Sequence, residues 1–218
     1  MSKLFHSRSV TLSPLKRLWA FTLIELLVVV AIIALLAGLS FPAAMKALEA
    51  TKKAKALALM QRVKVGLTSY KAEYDVWPPA LNAYTNANGD IFISTNSWGP
   101  LVCSLAGYTN DPTGYVTNGT VNNSRVIKYL DFPSDCLSAN TSAPFNNGCT
   151  DFSQVQNLID PWMHPYQMLL DGNYDNQLVG VPDITSTNSS ATVNLQGDIA
   201  IWSQANVTTP NQYVVTWK

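Results

Sequence analysis

The chain has 218 residues, which leaves room for one ordinary domain and an appendage, because domains cluster at roughly 100 to 150 residues. Its formal net charge of zero conceals three unlike segments: residues 1–20 carry Lys3, Arg8, Lys16 and Arg17 with no carboxylate, residues 46–71 carry seven basic residues against Glu49 alone, and from Ala72 onward twelve carboxylates face only Arg125, Lys128 and Lys218. An acidic C-terminal part argues against nucleic acid as a partner, since that affinity rests on Lys and Arg neutralising phosphates.

Residues 1–20 have the composition of a leader held in the cytoplasm. Residues 21–45 read FTLIELLVVVAIIALLAGLSFPAAM, with Glu25 as the one charge. That is long enough to cross a hydrocarbon core of about 30 Å as a helix, so the lipid bilayer is an expected partner. The run is too long for the apolar core of a secretory signal, and a buried core helix would need a larger domain around it than the polar remainder provides. Glu25 separates a plain anchor from something more specific, because a carboxylate in hydrocarbon costs about 2.5 to 3.5 kcal/mol. A cut before Phe21 would create an α-amino group on a neighbouring subunit, and that charge would give Glu25 a partner that fixes register.

Ala20 followed by FTLIELLVVVAIIALLAGLSFP resembles the cleavage and methylation motif of type IV prepilins and type II secretion pseudopilins. The resemblance implies that a prepilin peptidase cuts between Ala20 and Phe21 at the cytoplasmic face and methylates Phe21. It makes Glu25, fifth after the cut, the assembly carboxylate. Family members usually carry Gly where this chain has Ala20. Pro42, four residues after Gly38, stands where the family has a helix-bending proline; an ordinary kink near a membrane exit is the equal alternative. The basic stalk leaves orientation open by charge, and the motif places the head outside the cytoplasm.

From Lys46 the sequence KALEATKKAKALALMQRVKVGLTSYKAEYD lacks proline and sets Leu57, Met60, Val63, Leu67, Tyr70 and Tyr74 three or four residues apart. This spacing predicts an amphipathic stalk helix over 46–76 that lays its apolar stripe on a sheet and stops before Trp77-Pro78-Pro79. Its basic outer face is either solvated or paired with acidic heads of neighbouring subunits.

Residues 77–218 form the head, rich in Asn, Ser, Thr, Gly and Pro, with strands predicted at Ile91 to Ser94, Arg125 to Leu130, Tyr166 to Leu170, Asp198 to Ser203 and Tyr213 to Trp217. The fold class is α+β, pilin-like: one long transmembrane and stalk helix packed on a small antiparallel sheet with long loops. Asp160-Pro161-Trp162 through Tyr166, then DGNYDNQL, then GDIAIWS resemble the C-terminal pattern of the major pseudopilin G class. This resemblance implies a structural, non-enzymatic subunit of a type II secretion pseudopilus. It would sit in the inner membrane as a single-pass protein with a periplasmic head. Its partners would be itself, other pseudopilins, the prepilin peptidase and the inner-membrane assembly platform. The alternative is a type IV pilin of a surface filament for adhesion, motility or DNA uptake. A third reading is an anchored enzyme or receptor domain. The head's one His is His164, and no nucleophile elbow, HExxH or phosphate loop accompanies it.

G-class heads often bind calcium after the WS-type strand, but here that loop, QANVTTPNQYVV, has no carboxylate, so the site is not carried over and no cofactor is expected. Asp171, Asn173 and Asp175 offer oxygen ligands at alternate positions without the rest of an EF-hand, and a polar turn is the simpler reading. No CxxC pair occurs among Cys103, Cys136 and Cys149. A bridge from Cys136 to Cys149 would close LSANTSAPFNNG and restrict the unfolded chain by about 3 kcal/mol, while pairings through Cys103 stay open.

Overall fold

Strong helix formers without a break other than Pro42 give one α-helix, α1 (Leu23–Tyr74). The computed structural model describes residues 22–107, 123–140, 143–144, 155–184, 186, 191–204 and 213–217, and it divides into two compact units, residues 1–47 and 48–218. In the first unit α1 is apolar all round, and its large side chains from Leu23 to Met45 are exposed. By length and composition the helix is a candidate membrane span, with a mean hydropathy of 2.8 over its most apolar window.

In the second unit α1 is one-sided. Ala56, Leu59, Met60, Val63, Gly66, Leu67 and Tyr70 are buried at spacings of three and four. Leu57 is not part of this stripe: it is 39% exposed, and Leu59 takes the place expected of it. The helix ends at Tyr74 because Asp75 turns left-handed at φ 63° while its amide still reaches the Lys71 carbonyl at 2.8 Å.

The stripe packs on a four-stranded antiparallel sheet formed by β1 (Ile91–Ile93), β5 (Gln167–Leu170), β8 (Ile199–Gln204) and β9 (Tyr213–Val215), in the order β1-β5-β8-β9. Side chains alternate across it. Ile91, Ile93, Met168, Leu170, Ile199 and Ile201 join the core with α1. Leu169, Ala200 and Trp202 face the other way and are covered by Leu178 and Val181 of a hairpin, β6 (Gln177–Pro182) and β7 (Thr192–Gln196). A second small sheet orders β3 (Ala143–Pro144), β2 (Leu137–Asn140) and β4 (Asn157–Leu158). The head is therefore α+β, with a helix, a sheet and a hairpin in layers.

The small sheet β3-β2-β4 and the hairpin β6–β7 were not among the predicted strands, and two further elements differ from the sequence reading. A short helix, α2 (Gly99–Ala106), starts with Pro100 in its first turn and ends at Gly107 with φ 93°. The segment expected as a strand over Arg125 to Leu130 is irregular. Val126 sits at φ 54°, and the amides of Tyr129 and Leu130 both donate to the Leu105 carbonyl at the end of α2. Asn123 fixes this path: its side chain donates to the Ser104 and Ile127 carbonyls at 3.0 and 2.7 Å and accepts from the Ile127 amide and the Tyr74 hydroxyl. Bonding to helix termini replaces the bonding of a strand ladder.

Leu67→Ala should lower the stability of the head by about 2 to 5 kcal/mol, whereas Leu57→Ala should stay within about 0.5 kcal/mol of the parent. Thermal melting of the full chain in detergent, followed by tryptophan fluorescence, separates the two. Equal losses would mean the stripe is misplaced.

Candidate functional site

The first turn of α1 holds a reciprocal cap. The Thr22 amide and hydroxyl donate to Glu25 Oε2 at 2.8 and 2.9 Å, and the Glu25 amide donates to Thr22 Oγ1 at 3.3 Å. This is a capping box, in which two otherwise orphaned amides satisfy each other through side chains. The Thr-x-x-Glu spacing was the available signal, overlooked because Glu25 read as an isolated charge. Ala20 and Phe21, the proposed cleavage pair, lie outside the described residues. Pro42 lies inside α1 and, having no N–H, leaves the Gly38 carbonyl without its i+4 donor. Ser40 Oγ donates to the Leu36 carbonyl at 2.8 Å in the same stretch.

Part of the basic stalk is paired with its own head. Lys55 meets Asp135 at 2.5 Å, Lys71 meets Asp198 at 3.0 Å, and Arg62 Nη2 donates to the Asp131 carbonyl at 2.7 Å. Lys71 also lies over the Trp77 ring, 4.5 Å from its centroid. A cleft of about 150 Å³ opens between Lys55, Leu59 and Arg62 on one side and Pro133, Ile159 and Pro161 on the other. Cys136 lines it, and its thiol donates to the Pro133 carbonyl at 2.9 Å. Burial, with the Asp135 charge added, pushes that thiol up to about 12, so it remains a thiol at neutral pH. Cys149, its candidate partner, falls outside the described residues.

Asp160 organises the turn that precedes β5, a role the sequence reading missed. Its Oδ1 accepts the amides of Trp162 and His164 at 2.8 Å each, and Oδ2 accepts the buried Ser203 hydroxyl. His164 Nδ1 lies 3.7 Å from Asp160 Oδ2 and has no hydrogen-bond partner. Serine, aspartate and histidine thus meet, but the hydroxyl bonds to the carboxylate and not to the imidazole, which is not the arrangement of an activated nucleophile.

Asp171, Asn173 and Asp175 form a turn. Asp171 accepts the amides of Asp175 and Asn176 at 3.1 and 2.8 Å, Asn173 Oδ1 accepts the Asp175 amide at 3.2 Å, and Asp175 Oδ1 accepts the Gln177 amide at 2.8 Å. The turn interlocks with 86–90, where a Cβ on Gly172 would collide with the Gly89 carbonyl oxygen. Among the described residues, no group of three or more His, Cys, Asp or Glu is gathered to hold a metal. Asp90 is buried beside the turn: Oδ2 accepts the Val179 amide at 3.0 Å and Oδ1 has no partner. Burial raises the Asp90 carboxyl above its ordinary value; the Val179 bond opposes this, and the Asp171 and Asp175 charges add to it.

The described residues define an α+β protein with a candidate membrane helix. Comparison with protein-family models, with curated proteins and with solved structures returned no match.

A carboxyl raised on folding binds its proton more tightly in the native state, so its stabilisation is complete below the ordinary Asp value and is lost as pH rises through the raised one. Asp90→Asn should therefore compare best with the parent at pH 7 and worst near pH 3. Melting curves at the two pH values check this; a difference that is constant with pH would rule it out.

Proposed function

We propose that the chain is a pilin-class filament subunit, made as a prepilin, cut before Phe21 and assembled through α1 into a type II secretion pseudopilus. The observation that carries this reading is the two-part helix. Its first part is an exposed apolar stretch of membrane-crossing length, capped by Thr22 and Glu25 directly after the expected cut. Its second part offers a single apolar stripe to an α+β head. A plain anchor needs the first part only. The resemblance of residues 20–42 to the prepilin motif supports the same reading, and the G-class pattern around Asp160 and Asp198 favours secretion over a surface pilus.

In this mechanism the subunit does no covalent chemistry of its own after processing. The apolar helix leaves lipid for a bundle of like helices, and Glu25 sets the register by meeting the new α-amino group of a neighbour. Growth of the bundle moves the heads, and with them the cargo. Filaments extending beyond the cell surface would shift the reading to the pilin alternative.

Mass spectrometry of the N-terminal peptide from the host membrane should give a chain that starts at methylated Phe21. Glu25→Ala should insert normally and lose at least about ten-fold in assembled filament, consistent with a single desolvated charge pair. Thr22→Ala keeps the carboxylate and should still assemble. An intact leader, or normal filaments from Glu25→Ala, would sink the proposal.

A further inference from the structure

The buried stripe of the stalk runs back through Tyr70, Leu67, Val63, Met60 and Ala56; at the same spacing the next turn lands on Lys53 and Lys52, and the one after it on Glu49. The face that is apolar against the sheet becomes charged within a turn. The Asp160 turn stands against it: Trp162 Nε1 lies 3.4 Å from Glu49 Oε2, and Met163, at φ 70°, is 40% exposed. Asp160 holds that turn in place by accepting the amides on either side of Met163. Lys52 and Lys53 make no ion pair among the described residues, unlike Lys55 and Lys71 further along the same helix.

Glu49 follows Met45, the end of the apolar stretch, by four residues, about 6 Å at the rise of a helix. A bilayer is about 30 Å thick in its hydrocarbon and about 40 to 45 Å with its headgroups, so a headgroup layer is roughly 5 to 8 Å deep. Chain length alone thus keeps Glu49 and the Trp162 beside it within reach of that layer. We propose that Lys52, Lys53, Trp162 and Met163 form a contact for anionic phospholipid headgroups at the surface of the membrane that α1 enters. The inference rests on the reading of α1 as a span. Lysines next to a span attract anionic headgroups, and an indole with one wet edge and one apolar face suits the interface. An acidic head of a neighbouring subunit would use the same lysines but would give no role to Trp162 or the exposed Met163 beside them.

The test uses the full chain in vesicles of phosphatidylcholine, with or without phosphatidylglycerol. Lysines are acetylated with an impermeant reagent, methionines are oxidised by hydroxyl radicals, and both are read by peptide mass spectrometry. With phosphatidylglycerol, Lys52 and Lys53 should label about three-fold more slowly while Lys64 is unchanged, Met163 should be protected in parallel, and about 0.5 M salt should remove the effect. Lys52→Gln with Lys53→Gln should abolish the protection of Met163, and inorganic phosphate in detergent should give none. Equal labelling in both vesicles overturns the proposal, as does protection by inorganic phosphate in detergent. Protection that follows protein density and not lipid charge overturns it in favour of a neighbouring head. Chain extracted by alkaline carbonate would mean that the span reading has failed; inserted chain without protection would mean that only this contact has.

Discussion

The change of environment along α1 is the constraint on which the rest depends. A helix that is apolar all round has no reason to prefer one face, and one with a stripe must bury it. Here the change falls between Met45 and Ala56, where Lys46, Lys52, Lys53 and Lys55 interrupt the apolar surface. Beyond it every turn contributes one or two residues to the core, so the sheet has a straight ridge to lie on. Met60, Leu67 and Tyr70 are among the largest fully buried side chains, together with Trp98 and Tyr166 from the head. Burial of side chains this size, at about 25 cal/mol per Å² of apolar surface, is the main force holding a head whose described strands are only two to six residues long.

Short strands leave many backbone groups unpaired, and the head meets this with side chains and not with longer ladders. Asn123, Asp160 and Asp171 each take several main-chain partners in their turns. The buried indoles follow the same rule: Trp77 donates to the Asp171 carbonyl and Trp98 to that of Tyr166. Most of these polar residues therefore have a structural explanation within the head. Asp90 is different, because one of its oxygens is buried without a partner, as are the Tyr129 hydroxyl and His164 Nδ1.

This also explains which parts were legible in the sequence. The helix, its stop before Trp77 and the strands at Ile91, Gln167, Ile199 and Tyr213 follow from periodicity and β-propensity, which are local signals. Arg125 to Leu130 has the composition of a strand, but its partners are the end of α2 and Asn123, a tertiary contact that no window of sequence contains. The hairpin β6–β7 is polar on its outer face and was hidden among Asn and Thr residues. At the candidate site Glu25 was legible as a costly charge, whereas its bond to Thr22 required reading the same four residues as a helix start. The lysines of the stalk were legible as a group, but not their division into those that pair with the head and those that do not.

Thr22 and Glu25 allow the two accounts of that carboxylate to be weighed against each other. A helix cap contributes about 0.5 to 2 kcal/mol, and a carboxylate at the centre of a bilayer costs about 2.5 to 3.5 kcal/mol. The cap alone therefore offsets only part of the cost if the first turn enters hydrocarbon. Both Thr22 bonds fall on one oxygen, Oε2, which leaves the second edge of the carboxylate to another donor. Capping and pairing are then complementary: the cap orients the carboxylate at the helix start, and in the proposed filament a neighbour's α-amino group would neutralise it there. A glutamine at this position would keep part of the cap and lose the charge, so the pairing, unlike the cap, requires a carboxylate.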